Sequence, residues 1–373
     1  MPQTKIIHLI AGARPNFMKI APIVRALENH KDEVAYRIVH TGQHYDRAMS
    51  AVFFDELGIP QPDYHLACGG GSHAEQTAKI MIAYEKLCHE NRPHMVLVVG
   101  DVNSTLACSI VAKKLHRPVA HVEAGLRSGD RHMPEEINRL VTDAVSDLFF
   151  VTEPSGVANL LREGQPQAAI HHVGHVMVDN LLFQKARLEK LGPGKGHSCG
   201  IKARRPRYGA VTLHRPSNVD DPVALARIAG ALDQISRSLP LIFPVHPRTR
   251  QQLDKAGIAF SSEVEMIEPM GYMDFLNLWK DASVVVTDSG GLQEETTALG
   301  IPCVTVRDNT ERPITIEEGT NILAGVQPQM IIDLALSAAA GEGKTGRRPA
   351  LWDGHASERI VGVLLEFLAH PTS

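Results

Sequence analysis

Cysteine patterning is what this 373-residue chain most plainly lacks. Its five cysteines, Cys68, Cys88, Cys108, Cys199 and Cys303, are odd in number, widely spaced and without a CxxC pair. That argues against a disulfide framework or a structural zinc site and fits a reducing cytoplasm. No apolar run approaches the roughly 18 residues of a membrane span. The stretch "KIIHLIAG" near the start is too short and too weakly flanked for a secretory signal, and reads as a first strand. Charge of one sign is missing too. With 38 Lys and Arg against 42 Asp and Glu, the formal net charge is -4. Neither nucleic acid nor an anionic membrane is therefore an expected partner, and any anionic ligand must be held by local groups. The P-loop lysine signature, HExxH and a DxD pair are all absent, so a metal-held nucleotide is not expected.

What is present is a regular alternation. Short apolar runs separated by longer stretches of helical period are the signature of parallel α/β layers. The expected strands of the first half are Lys5 to Ala11, Val34 to Thr41, Met95 to Gly100, Val119 to Glu123, Leu148 to Thr152 and Ile170 to Val173. Those of the second are Tyr208 to Leu213, Leu241 to Val245, Val264 to Glu268, Val284 to Thr287 and Cys303 to Val306. The length suits two domains, and 43% hydrophobic residues are enough for two cores. The boundaries expected are 1–178, completed by a final helical segment in 356–373, and 179–355. Residues 192–206, "GPGKGHSCGIKARRP", read as a linker or exposed loop.

In doubly wound sheets, ligands bind at the carboxyl ends of strands, and the polar residues concentrate there. Arg14 and Lys19 follow the first strand, Asp101 follows "VLVVG", and Glu123 ends "PVAHVE". His214 ends "AVTL", His246 and Arg248 end "IFPV", and "DSGGLQEE" follows "SVVV". Two such faces turned toward each other make one expected interdomain site. In that last stretch, Ser289, Gly290 and Gly291 at a helix start offer bare backbone N–H groups and the positive end of a helix dipole, a setting suited to phosphate. Glu295 lies one turn on, within reach of sugar hydroxyls, and Arg312 in "TERP" is placed to neutralise a diphosphate. An ordinary strand-to-helix turn with Ser289 as N-cap explains the glycines equally well.

The first half carries "VGDVNST" and "HVEAGLRSGDRHMPEEINR". Asp101, Glu123, Asp130, Glu135 and Glu136 are five carboxylates in or beside loops, balanced by Arg127, Arg131 and Arg139. Carboxylates crowding one crevice raise one another's pKa and so hold or accept a proton near neutral pH. The plainer alternative is capping: Asp101 before the helix opened by Asn103, Ser104 and Thr105, with Glu135 and Glu136 as first-turn acids. Glu123 has no such task at the end of a buried strand. His214 before "RPSN" reads either as a strand-end cap or, if it faces the carboxylate cluster across a cleft, as a general acid or base.

Taken together and in order, "GARPNFMK", "VGDVNSTLA", "HVEAGLRSGD" with "MPEEINR", "VTLHRPSN", "VHPR", "VVTDSGGLQEE" and "ERPITIEEGTN" resemble UDP-N-acetylglucosamine 2-epimerases of the non-hydrolysing type. The resemblance implies two Rossmann-like doubly wound domains facing a cleft, a glycosyltransferase-B-like α/β fold, with neither metal nor nicotinamide and no other cofactor. It implies a UDP-sugar substrate and UDP as ligands, a cytoplasmic homodimer, and supply of a sugar for cell-surface polysaccharide. By motif, Asp101, Glu123 and Glu135 resemble the family's catalytic carboxylates and His214 its cleft histidine. Arg14 and Lys19 resemble substrate contacts of the first domain. Ser289, Gly290, Gly291, Glu295 and Arg312 resemble the UDP site, and Phe275 in "GYMDF" the residue beside the uracil, although a helical aromatic also suits core packing.

Two departures bear on function. The segments that hold a second, activating substrate in many bacterial members read "TGQHYD" and "EQTA" here, keeping Gln43 and Gln76 without the arginines. The first loop reads "GARPNF", and relatives of that kind include enzymes for 2,3-diacetamido-uronic acid sugars. A glycosyltransferase of the same fold would share the second-domain UDP site but has no use for this carboxylate set.

Overall fold

The computed structural model describes residues 4–42, 51–191 and 197–370. The first half contains strands β1 (Lys5–Ala11), β2 (Val34–His40), β3 (Tyr64–His65), β4 (Met95–Val99), β5 (Val119–Val122), β6 (Leu148–Val151) and β7 (Ile170–His172). The second contains β8 (Gly209–Thr212), β9 (Leu241–Pro244), β10 (Val264–Ile267), β11 (Val284–Thr287), β12 (Cys303–Thr305) and β13 (Asn321–Leu323). They form two all-parallel sheets, ordered β3-β2-β1-β4-β5-β6-β7 and β10-β9-β8-β11-β12-β13. Helices cover both faces of a parallel sheet, so the central strands are buried throughout and read as unbroken apolar runs, "MVLVV" in β4 and "VVVT" in β11.

The chain divides into two compact units, Met1–Asn180 with Leu351–Ser373, and Leu181–Ala350. The last helix, Ala356–Ala369, belongs to the first: Ile360, Val361, Leu364 and Leu368 pack in one core with Phe17, Ile20 and Val24 of helix Arg14–Leu27. Its start is tied down by Asp179, whose carboxylate accepts from the N–H of Ala356 (3.2 Å) and of Ser357 (2.7 Å) and from the Ser357 hydroxyl (2.7 Å). These are donors that a helix cannot satisfy internally. Truncating a core contact such as Leu364 to Ala costs about 2–5 kcal/mol.

Three local features depart from the sequence reading. Strands β3 and β13, two and three residues long at sheet edges, carry too few residues for an alternation to show. The stretch read as a linker holds a helix, His197–Arg204, while residues 192–196 lie outside the described residues. That helix packs on Tyr272–Trp279 through Ser198 and Lys202, which bond Asp274 and Asn277. Tertiary contacts of this kind override a weak local propensity.

In both sheets the strand order reverses beside the strand that opens it. β1 lies between β2 and β4, and β8 between β9 and β11. At such a switch point the loops leave the sheet in opposite directions and open a crevice at the carboxyl ends.

Candidate functional site

At the first switch point, the turn after β1 is set by Asn16. Its Oδ1 accepts from the N–H of Gly12 (3.1 Å) and Ala13 (2.9 Å), while its Nδ2 donates to the carbonyl of Val99 (3.2 Å) at the end of β4. This places helix Arg14–Leu27 so that Lys19 Nζ reaches Glu123 Oε2 at 2.6 Å, across 104 residues of sequence. Glu123 is only 4% exposed and its φ is +69°. A left-handed side-chain-bearing residue costs roughly 1–2 kcal/mol, and such strain collects where function needs it. Gly100 is left-handed as well, at φ +67°, and a Cβ there would meet Lys19 Nζ at 2.9 Å. Glycine makes the room in which the lysine sits.

Asp101 does not cap the helix that follows it. The N-cap position of Asn103–Lys114 is Val102, with no side-chain bond, and the Asp101 carboxylate instead accepts from Arg139 Nε (3.0 Å) and Nη2 (2.8 Å). Arg139 Nη1 also binds Glu136 Oε2 at 2.6 Å. Glu136 accepts further from the N–H groups of Ser128 (2.9 Å) and Gly129 (3.1 Å). Burial alone would raise its pKa, but these hydrogen bonds and the Arg139 charge outweigh burial and hold it below the ordinary value. The expected upward shift from crowding is thus reversed at Glu136, because the Ser128 and Gly129 donors, and after them the Arg139 charge, stabilise the carboxylate. Asp130 is exposed and serves its own turn, accepting from the N–H of His132. Glu135, in the first turn of helix Pro134–Val145, is half-exposed and makes no hydrogen bond or ion pair among the described residues. Arg14 is exposed, its guanidinium 5.0 Å from the centre of the Phe53 ring.

His121 and its partner Asp143 were not singled out from the sequence. His121, two positions before Glu123 and fully buried, pairs through Nδ1 with Asp143 Oδ1 at 2.6 Å. The signal was present, since a histidine in the apolar run "PVAHVE" needs a buried partner. Gln76, kept in the "EQTA" segment, accepts from Asn103 Nδ2 at 2.7 Å; Gln43 lies outside the described residues.

The second switch point is built differently. His214 follows β8, and its Nδ1 lies 2.9 Å from Asp288 Oδ1. Asp288 is fully buried and also accepts from the backbone N–H of His214 (3.0 Å) and Arg215 (2.9 Å). Burial would raise the Asp288 pKa; the His214 pairing and the two backbone donors lower it further than burial raises it. A carboxylate held ionised there orients the imidazole and leaves Nε2 outward, as the third member does in a catalytic triad. Nothing local in "VVTDSGG" marks Asp288 for this part, since His214 lies 74 residues away in sequence.

Ser289 is the N-cap of helix Gly290–Leu299, its Oγ accepting from Leu292 N–H at 3.5 Å, and its own N–H is turned to Thr287 Oγ1 (2.9 Å). The capping explanation of Ser289 therefore holds, but it leaves the glycines unexplained. A Cβ at Gly291 would meet nothing within 4 Å, and one at Gly290 would meet only Arg215 Nη2 at 3.8 Å. Packing does not demand glycine at either position, and the bare helix start has the geometry that suits an anion. One turn on, Glu295 Oε1 accepts from the Tyr272 hydroxyl at 2.9 Å, and Arg312 pairs with Glu294. The Arg312 charge is thus partly matched within the protein. Phe275 is half-buried in the wall of a cavity of about 200 Å³, with Thr212, Leu213, His214, Pro244, His246, Pro269 and Met270. It is not a core residue: its ring, the prolines and Met270 offer an apolar slot sized for a flat ring. No group of three or more His, Cys, Asp or Glu suited to a metal ion occurs among the described residues.

Against known proteins, residues 25–365 match the family model of UDP-N-acetylglucosamine 2-epimerase. The chain is 41% identical to UDP-N-acetylglucosamine 2-epimerase of Methanocaldococcus jannaschii over 364 residues, covering 96% of this chain and 98% of that one. It is 42% identical to UDP-2,3-diacetamido-2,3-dideoxy-D-glucuronate 2-epimerase of Pseudomonas aeruginosa, covering 96% and 99%. The crystal structure of the Methanocaldococcus jannaschii enzyme in complex with UDP-GlcNAc and UDP superposes with a TM-score of 0.84, over 97% of this chain and 99% of that chain. That of the Neisseria meningitidis enzyme bound to UDP-GlcNAc also gives 0.84, at 27% identity over 97% and 100%. The two doubly wound units accordingly have the glycosyltransferase-B-like fold of these enzymes. With a family model spanning most of its length and relatives above 40% identity along nearly all of it, this chain belongs to the UDP-N-acetylglucosamine 2-epimerase family.

Proposed function

We propose that the protein interconverts UDP-N-acetylglucosamine and UDP-N-acetylmannosamine by elimination and re-addition of UDP, without hydrolysis and without a cofactor. The observation that carries this reading is Glu123, a buried carboxylate held in a strained backbone conformation against Lys19 at a switch point. In the first step the C1–O bond breaks with its electron pair leaving on UDP. A carboxylate among Asp101, Glu123 and Glu135 removes the C2 proton, and the C–H pair becomes the C1–C2 double bond of a 2-acetamidoglucal. In the return step UDP oxygen attacks C1 and a different acid delivers a proton to the opposite face of C2. Two faces require two groups, and positioned proton transfer contributes about 10² to 10⁴ in rate.

C2 has no adjacent carbonyl to make its proton labile, so departure of the diphosphate must do so. The second unit is read as the holder of that leaving group. The diphosphate takes the N–H groups of Gly290 and Gly291 with Arg312, the ribose hydroxyls take Glu295, and uracil takes the slot beside Phe275. Arg14 and Lys19 contact the substrate from the first unit, and His214, oriented by Asp288, assists the leaving oxygen. The 42% identity to a diacetamido-glucuronate 2-epimerase favours a second reading, the same chemistry on a UDP-2,3-diacetamido-uronic acid sugar.

Proton NMR in heavy water, with a metal chelator present and each UDP-sugar supplied in turn, tests the reading. The expected product is the C2 epimer carrying deuterium at C2. An epimer that keeps its original hydrogen overturns the two-group mechanism, free sugar with UDP marks a hydrolysing enzyme, and no change with either donor favours a transferase. With the activator arginines absent from "TGQHYD" and "EQTA", initial rates should follow a hyperbola in substrate; a sigmoid that requires added UDP-N-acetylglucosamine would count against that. We place the enzyme in the cytoplasm on its five free thiols, and as a homodimer on the exposed Ile82 (72%) and Ile137 (42%) of helices His73–Asn91 and Pro134–Val145.

A further inference from the structure

The histidine inside β5 has no part in the chemistry above, yet it is among the most completely enclosed polar groups of the first unit. His121 is 0% exposed, with Val98 of β4 and Phe149 of β6 as its strand neighbours. Both of its ring nitrogens face acceptors: Nδ1 lies 2.6 Å from Asp143 Oδ1, and Nε2 lies 2.9 Å from the carbonyl oxygen of Gly100. A carbonyl oxygen only accepts, so Nε2 carries a proton. Asp143 is itself occupied as an anion, its Oδ2 accepting from the N–H of Gly125 at 3.0 Å and pairing with Arg127 Nη2 at 2.7 Å. Arg127 is shared with Glu163. With two other donors on Asp143, the proton of the short contact belongs to Nδ1, and the ring is an imidazolium. The Asp143 carboxyl agrees: burial would raise its pKa, but His121 and Arg127 outweigh burial and lower it.

We propose that His121 is a positioning residue, a buried imidazolium that clamps the turns carrying Asp101 and Glu123 to one another through the Asp143 carboxylate. This rests on the acid/base roles given to those two carboxylates. On one side the clamp holds the carbonyl of Gly100, the left-handed residue directly before Asp101. On the other, Asp143 holds the N–H of Gly125, two residues after left-handed Glu123. Gly125 has no slack in the opposite direction, since a Cβ there would lie 2.3 Å from the carbonyl oxygen of Gly156. The two turns bear ionised groups of their own, Asp101 with Arg139 and Glu123 with Lys19. The His121 cation is matched by the Asp143 anion and Arg127 by Glu163, so the clamp acts on the geometry of the two turns and not on their net charge.

The test begins with the wild-type protein. Long-range nitrogen–proton correlation on histidine-labelled enzyme at neutral pH, where an ordinary histidine is largely neutral, should show both His121 ring nitrogens protonated. One bare nitrogen overturns the clamp. His121→Gln and Asp143→Asn, the latter keeping side-chain volume, should each lower kcat per folded molecule roughly ten- to hundredfold. KM and UDP affinity should stay within about threefold, because uniform binding is not what the clamp provides. If either folded variant keeps wild-type kcat, or loses KM and UDP affinity in the same proportion as kcat, the proposal is wrong. A wild-type enzyme that is inactive on both UDP-sugars sinks the functional reading instead, and the protonation measurement still decides the clamp.

Discussion

At the first switch point the carboxylates Asp101, Glu123 and Glu136 each have a cation beside them, Arg139, Lys19 and Arg139 again; at the second, two glycines open a helix start onto free space and an apolar cavity lies alongside. The sheets that carry them are alike, parallel and reversing beside the first strand. The scaffold therefore decides where a ligand meets the protein, and the residues just past the strand ends decide what happens there. On the proposed function, one unit moves protons and the other holds an anion and a flat ring. There His214 is oriented by a fully buried aspartate, and Arg312 is paired with Glu294.

Four changes break or sharpen that contrast. Glu123→Gln should have the largest effect, lowering kcat by about 10² to 10⁴ while UDP affinity, measured by calorimetry, stays near wild type. An equal loss in both would erase the division of labour. Asp288→Asn should come next, with kcat down roughly ten- to hundredfold, since the amide no longer fixes the His214 tautomer, while UDP affinity by calorimetry should stay near wild type. Gly291→Ala should weaken UDP binding by about tenfold, the value of one charge-assisted hydrogen bond. Because a Cβ at that position meets nothing within 4 Å, the thermal midpoint should hold or rise slightly. A lower midpoint would mean the glycine serves packing after all.

The smallest effect concerns stability. Glu311 is held by Arg307 Nη2 at 3.0 Å and Nη1 at 3.2 Å. Burial raises its pKa, but the Arg307 hydrogen bonds and charge, with Arg215, bring it from 4.5 down to about 2. A depressed carboxylate stabilises the fold fully above its unfolded value and loses that contribution as pH falls through the folded one. The difference in thermal midpoint between wild type and Glu311→Gln should therefore be constant above about pH 4.5 and shrink toward pH 2. A difference that persists unchanged at the lower end would show that Arg307 and Arg215 do not act through charge.

The strands were legible where an apolar run was long enough to bury both faces, as in "MVLVV" and "SVVV", and the polar residue closing each run marked a strand end that faces the crevice. Edge strands β3 and β13 were not legible, because two or three residues hold no period. Nor was helix His197–Arg204, which its neighbours stabilise within a Gly- and Pro-rich stretch. Within the candidate site, Asp101, Glu123, His214 and the Ser289–Gly291 turn stood out as chemistry in unusual places. Which carboxylate of "PEE" joins the network did not: one residue of helical rotation puts Glu136 against Arg139 and leaves Glu135 half-exposed.

By itself, then, the sequence determined the parallel α/β plan, the family, and the residue types gathered at the strand ends, since periodicity and turn chemistry act over a few neighbours. Only the tertiary structure decided the partners. Lys19 meets Glu123 across 104 residues, Arg139 meets Asp101 across 38, His214 meets Asp288 across 74 and His121 meets Asp143 across 22. Each pair is formed because the sheet order sets distant strand ends and helices side by side. The state of a buried charge follows from what stands next to it in space, and nothing in local sequence encodes that distance.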